Sequence, residues 1–359
     1  MSSSESFKGW CALGPDAVEG KLVWQDVPAK KFTETDLELD VLACGICASD
    51  IHTMRSGWGP TEYPTVVGHE IVGKITKVGS DVKDGYKVGD IVGIGAQCDS
   101  CEQCEQCKKE SNSYCDGMVG TYSGKFKDGS GRSMGGYASK WRGPATLAIP
   151  IPDGLDLSVA APLLCGGATA YSPLRDYGCG QENGKRVAIV GVGGIGAFGL
   201  NWAKALGADE IVAISTTASK KDLAMQLGAT DFLAMKDDPE GHKKYRRHFD
   251  IILNTAADEN MDFDKFVFML RPRGHLINIA VPEKPCKPVP IGALLFSGAN
   301  IGGSAIAGRA QLREMLDLAV SAKPNFMIEK RKMSEANEAV KDMVAGKPRF
   351  RYTLMAEGQ

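Results

Sequence analysis

The sequence predicts an α/β fold in two domains: a mostly antiparallel β domain broken by loops, and a doubly wound parallel sheet. Three observations carry this. The chain has 359 residues, more than one hydrophobic core usually serves. Its first third is rich in glycine and in short β-forming runs. From about Gly184 the rhythm becomes strand, helix, strand, the pattern of a parallel sheet with crossover helices.

The elements follow in order. Residues 37–41 (Leu-Glu-Leu-Asp-Val) alternate apolar and polar side chains like a half-buried strand. The apolar run 91–94 is short and set among Gly-Asp and Gly-Ser turns. In the second part, strands are expected at 186–190, 210–214, 231–234, 250–254, 276–280 and 300–303. Helical patterns fall between them, for example at 195–206 and 219–227. Six strands suit a dinucleotide-binding sheet. A helix near 311–321 precedes a last β segment, 350–355, which is expected to return to the first domain. The boundaries are set at 1–164 with 305–359 for the β domain, and 165–304 for the parallel sheet.

Composition is ordinary, with 43% hydrophobic and 24% charged residues. Lys and Arg number 42 against 44 Asp and Glu, a net charge of −2, which argues against a dedicated nucleic-acid binder. The basic run 242–248 reads as a solvated helix face. No apolar run is long enough to span a bilayer. The first six residues lack an apolar signal core, and the last four carry no retention or prenylation signal. A cytoplasmic location is expected. Eleven cysteines in such a chain point to metal ligands rather than disulfides.

Residues 187–190 (Val-Ala-Ile-Val) run into Gly191-Val192-Gly193-Gly194-Ile195-Gly196, a G-x-G-x-x-G between a strand and a helix. Gly191 permits the tight turn, Gly193 lets the backbone approach a pyrophosphate, and Gly196 packs helix on strand. Gly194 and Ile195 open the helix, whose N–H groups face the anion. The second strand of such sheets normally ends in an acid that binds the ribose hydroxyls. Here Ser215, Thr216 and Lys220 stand instead. A 2′-phosphate is then welcome rather than repelled, so NADP(H) is the expected cofactor.

Cys101, Cys104, Cys107 and Cys115 form a compact quartet, suited to a closed tetrahedral zinc site of structural type. Cys98 is a fifth candidate, so spacing alone leaves the ligand choice open. A second set is dispersed: Cys47, His69 and Cys165, with Glu70 as a further candidate. Two thiolates and an imidazole leave a position for water or substrate, the arrangement of catalytic zinc. Ser49 and His52 stand where protons could be passed on. Cys44 and Cys47 could instead be a redox pair, but no βαβ pattern surrounds them. Metal plus nicotinamide points to redox chemistry at a carbonyl or alcohol.

The chain resembles the zinc-dependent medium-chain alcohol dehydrogenases, and within them the cinnamyl alcohol dehydrogenase branch of fungal NADP-dependent type. The resemblance rests on Cys44-Gly45-Ile46-Cys47 with Ser49-Asp50-Ile51-His52, on Gly68-His69-Glu70-Ile71-Val72-Gly73, and on the cysteine quartet. Gly135-Gly136-Tyr137-Ala138, the stretch from Pro162 to Pro173 and the glycine motif complete it, in family order. It implies a GroES-like catalytic domain with a Rossmann cofactor domain. It implies Cys47, His69 and Cys165 as catalytic zinc ligands, Glu70 as an alternating fourth, and the quartet without Cys98 as the structural site. By the same resemblance Thr169 is a nicotinamide-side contact, Ser215, Thr216 and Lys220 form the 2′-phosphate pocket, Ser304 joins the cofactor contacts and Arg351 lies near the cofactor phosphates. Trp58, Gly120, Ala305 and Ile306 are the substrate-pocket candidates. The small Gly120 and Ala305 argue against a strict cinnamyl preference. The implied reaction is reversible NADPH-linked reduction of aromatic and aliphatic aldehydes to primary alcohols. Ser49 and His52 would form a proton relay, and Asp50 would orient His69. Two zinc ions per subunit and a homodimer acting on small molecules are expected. The alternatives are reduction of a C=C bond conjugated to a carbonyl, and a non-enzymatic NADPH-binding zinc protein.

Overall fold

The computed structural model describes residues 5–181, 184–289 and 291–358. Residues 1–4 and Gln359, read above for targeting signals, lie outside them. No helix among the described residues is long and apolar enough to cross a membrane. Two compact units form: residues 1–165, 307–320 and 327–359, and residues 166–306 with 321–326. The short segment 321–326 thus joins the second unit rather than the first.

The first unit is built on a seven-stranded sheet. Its path runs Ile328–Lys332, Arg351–Met355, Asp36–Gly45, Ile71–Val78, Ile91–Ile94, Ile149–Pro150, with Lys140–Pro144 also pairing Asp36–Gly45. All pairs are antiparallel except that between Ile328–Lys332 and Arg351–Met355. The C-terminal strand therefore does return to the first unit, where Thr353 pairs with Gly45 and Met355 with Ala43. The long Asp36–Gly45 strand is buried along most of its length. It is a central strand whose alternate face carries charge: buried Asp36 is held by Lys30 at 2.6 Å and buried Glu38 by Arg142 at 3.0 Å. Leu37, Leu39, Ile71, Ile75, Tyr137 and Trp141 are among the fully buried residues of this core.

The second unit carries six parallel strands in the order Asp231–Ala234, Glu210–Ser215, Arg186–Val190, Phe249–Asn254, Leu270–Asn278, Asn300–Gly303. This is the doubly wound order with its switch point beside Arg186–Val190, where such sheets bind dinucleotides. One strand departs from expectation. It begins at Leu270 rather than at 276, because Leu270 pairs Phe249 before a register shift. Pro272 and Gly274 disguise that start in the sequence. Helices Phe263–Met269 and Ile291–Ser297 are too short to show a clear apolar period.

Candidate metal centres and cofactor site

Cys47 ends the loop after the Asp36–Gly45 strand and caps helix Ala48–Met54 from an extended conformation. Asp50, three residues on, accepts the Cys47 backbone N–H at 2.9 Å, half of a capping box. Its other oxygen takes the Gly68 N–H at 3.2 Å, so one buried carboxylate pins the two loops that carry Cys47 and His69. Glu70 stands just before strand Ile71–Val78. Gly45 makes room for it, since a Cβ there would lie 2.0 Å from Glu70 Oε2. Cys165 comes from residues 163–167, a wide turn between helices Leu157–Pro162 and Ala168–Asp176, the kind of local bulge frequent at functional sites.

These far-apart residues converge. One donor atom each of Cys47, His69, Glu70 and Cys165 lies within 4.8 Å of the others, and all four residues are buried. His69 Nδ1 meets the Tyr122 hydroxyl at 3.0 Å, while its Nε2 is buried with no hydrogen-bond partner among the described residues. An orphaned ring nitrogen beside two sulfurs and a carboxylate is the donor set of an open zinc site. A hydrogen bond from Cys165 holds the Cys47 thiol well below its usual range, against burial and with help from His69 and Arg351. Burial disfavours charge on His69, but Asp50, Cys47 and Glu70 together raise it to about 9. Glu70 is pushed up to about 7 by burial, with Arg351 pulling the other way. Cys165 is raised in turn by that same bond to Cys47 and by burial, so the four donors crowd one another and share protons that a dication would displace.

Arg351, an expected cofactor-phosphate contact, has a buried guanidinium that donates to Glu70 Oε1. Asp50 lies 3.6 Å from His69 Nδ1, within ion-pair reach, and the hydrogen bond at that nitrogen is with the Tyr122 hydroxyl. Asp50 is itself held by the Tyr137 hydroxyl at 3.0 Å. Tyr122, Tyr137 and Gly45 were missed by the sequence reading. Tyr137 and Gly45 sit inside quoted motifs, whereas nothing around Tyr122 signalled it.

Ser49 Oγ is 3.5 Å from Cys47 Sγ. His52 stacks on Trp58, with centroids 4.5 Å apart and planes 15° from parallel, and its Nδ1 takes a bond from Arg55 at 3.1 Å. Trp58, expected as a pocket wall, therefore gives a ring face to His52 and leaves 46% of its surface exposed. Of the other pocket candidates, Gly120 pairs in a two-stranded ribbon of the first unit, while Ala305 and Ile306 belong to the second. The four do not form one pocket within either unit.

The quartet Cys101, Cys104, Cys107 and Cys115 also closes, its sulfurs within 4.8 Å of one another. Backbone N–H groups of Cys101, Cys104, Cys107 and Gly117 point at the sulfurs at 3.3 to 3.5 Å. Such donors favour thiolate, the form that binds zinc. Cys98 stays out. Its thiol donates to the Gly120 carbonyl at 3.4 Å, and burial pushes it up.

In the second unit Gly191 adopts φ +89°, and a Cβ on Gly196 would fall 1.8 Å from the Gly191 carbonyl oxygen. Over Gly193 there is open space, the cradle a pyrophosphate needs above helix Gly194–Ala205. A cavity of about 360 Å³ beside it is lined by Gly191, Ser215, Thr216, Lys236 and Ala256, among others. Lys220 Nζ donates to the Val192 carbonyl at 2.7 Å, tying the lysine to the glycine loop. Lys236 was missed, because it follows the third strand rather than the second. Ser304 donates its N–H to the Asn278 carbonyl and has a buried Oγ without a hydrogen-bond partner among the described residues. Thr169 is buried in helix Ala168–Asp176.

Comparisons with known proteins agree with this geometry. Residues 33–153 match the alcohol dehydrogenase GroES-like domain, and residues 194–321 match the zinc-binding dehydrogenase domain. NADP-dependent alcohol dehydrogenase 6 of Saccharomyces cerevisiae is 38% identical, covering 99% of this chain and 98% of that protein. The solved cinnamyl alcohol dehydrogenase of Sorghum bicolor superposes with a TM-score of 0.90 at 31% identity, over 98% of both chains. That of Helicobacter pylori, complexed with NADP(H), gives 0.85 at 29% identity, again over 98% of both. The chain is an enzyme of the zinc-binding alcohol dehydrogenase family, in its NADP-dependent, cinnamyl alcohol dehydrogenase-like branch.

Proposed function

We propose that this enzyme reduces aldehydes, aromatic and aliphatic, to primary alcohols with NADPH, reversibly and by hydride transfer. The observation that carries this is the convergence of Cys47, His69 and Cys165 into one buried donor set. A zinc ion held there supplies Lewis acidity to the carbonyl oxygen, and NADPH supplies the hydride. Cys47, His69 and Cys165 would hold such an ion at three positions and leave one for substrate or water. Tyr122 fixes the His69 ring so that Nε2, not Nδ1, is the ligand. Arg351 holds Glu70 as a reserve ligand and offsets the cost of burying its carboxylate while it is off the metal. Ser49 would give its proton to the product oxygen and be reprotonated by a relay ending at His52, which takes the replacement proton from solvent. The quartet holds a second zinc that pins its loop.

Ser215, Thr216 and Lys220, joined by Lys236, form the 2′-phosphate pocket, and Gly193 leaves space for the pyrophosphate. Ser215→Asp should shift preference toward NADH by repelling that phosphate. A homodimer is supported by the edge strand Asn300–Gly303 beside a helix whose Ile291, Leu295 and Phe296 are 71, 74 and 84% exposed. A second copy continuing the sheet would cover them. A cytoplasmic setting is supported by eleven free cysteines.

The test is product analysis with cinnamaldehyde and NADPH. Cinnamyl alcohol is the expected product. The saturated aldehyde would favour C=C reduction, and no NADPH consumption across an aldehyde panel would refute both readings.

A further inference from the structure

The structural quartet has a physical link to the opposite end of the chain that its role as a loop staple does not explain. After the quartet's third cysteine the backbone turns through Glu110, which takes a left-handed conformation, φ +54°. Its N–H bonds to the Cys107 carbonyl at 3.0 Å, and that of Ser111 to Gln106 at 2.9 Å. Directly on this turn lies Gly308. A Cβ there would fall 1.9 Å from the Glu110 carbonyl oxygen and 2.9 Å from Ser111 Cα. No side chain fits between the two backbones.

The next residue closes a clasp. Arg309, with a side chain only 15% exposed, pairs with Asp84 at 3.0 Å and reaches the Tyr86 hydroxyl at 3.5 Å. Tyr86 in turn donates to the Ala148 carbonyl at 2.7 Å. From here helix Arg309–Ala322 begins, and its Arg313 lies 3.7 Å from Glu110. Upstream, Ile306 holds φ +44°, an outlier for a β-branched residue, of the kind that persists only when its surroundings over-determine it. Two peptide units separate Ile306 from the backbone contact at Gly308. A trans chain spaces successive Cα atoms by about 3.8 Å, so a shift of the turn reaches Ile306 unless the few dihedrals between them absorb it.

We propose that the structural-metal lobe is a positioning device for residues 304–306, with Gly308 and Arg309 as the positioning residues. The order of the link is Cys107, Glu110, Gly308, Ile306. This rests on the reading of Ser304 as a cofactor contact and of Ala305 and Ile306 as substrate wall. Coupling of this kind is reciprocal. If the lobe fixes residues 304–306 for the cofactor, the cofactor must in turn quieten the lobe.

The test is hydrogen–deuterium exchange on the zinc-loaded enzyme, with and without NADPH, followed on peptides covering 106–112. NADPH should slow exchange there by about fivefold or more, the low end of ordinary coupling energies. Arg309→Met should abolish that protection while zinc content is kept, and Arg309→Lys, which retains the pair with Asp84, should restore most of it. In kinetics, Arg309→Met should raise KM for NADPH more than it lowers kcat. Gly308→Ala should do the same if it folds; the Arg309 pair decides the matter if it does not. If fluorescence shows NADPH bound while exchange at 106–112 is unchanged, the coupling does not exist and the proposal fails. Failure of NADPH to bind at all would instead sink the cofactor reading, and this inference with it.

Discussion

The two metal-ligand sets of the first unit are made in opposite ways. The quartet draws its four sulfurs from 15 consecutive residues, 101 to 115, and its cysteines range from buried to half-buried. Backbone N–H groups, not charged neighbours, stabilise its thiolates. The other set is assembled from three separate parts of the chain and is buried throughout. It sits among ionisable partners: Arg351 on Glu70, Asp50 near His69, and two tyrosines behind them. The first is a closed donor set that neutral backbone dipoles can serve. The second must hold charge away from water and still leave a position open, so it needs counter-charges and a second ring of hydrogen bonds.

That contrast can be broken by substitution. Cys47→Ser should abolish turnover and lose one equivalent of zinc by elemental analysis, with far-UV circular dichroism retained. Retained activity would mean that the dispersed set is not catalytic. Cys115→Ser should lose the other equivalent and lower the melting midpoint by about 10 °C or more, because structural zinc contributes folding energy outright. An unchanged midpoint would reduce the quartet to a passive cluster. Ser49→Ala should lower kcat by about a hundredfold, the usual weight of a positioned proton donor, with both zinc equivalents kept. Equal turnover would remove Ser49 from the relay. Smallest is Tyr122→Phe, which removes only the hydrogen bond to His69 Nδ1. A loss of about tenfold in activity or zinc affinity is expected, and no change in either would return the orienting role to Asp50.

The same contrast explains what the sequence could reveal. The quartet is legible because its ligands are neighbours and their spacing is geometry. The six-stranded order is legible because strand, helix and glycine turn repeat locally, from Arg186 onward. The dispersed set could be offered from donor chemistry but made one site only through resemblance, since no local pattern says that Cys165 meets Cys47. Its supports were less visible still. Arg351 is 281 residues from Glu70 and Tyr122 is 53 from His69. Arg351 is an ordinary residue until the sheet brings the C-terminal strand beside Asp36–Gly45, and Tyr122 until the segment after Val119–Gly120 folds against His69. Gly45 was in plain view within a motif, yet its reason is steric: the carboxylate it admits belongs to another strand. The stacking of Trp58 on His52 was not legible, because an exposed aromatic reads equally as pocket wall or as a platform for a neighbouring ring.

The most direct test of the central claim is anomalous diffraction at the zinc edge from crystals of active enzyme. The account predicts two peaks per chain, one within the quartet and one bounded by Cys47 Sγ, His69 Nε2 and Cys165 Sγ. A fully active enzyme with a single peak, at the quartet alone, would contradict it.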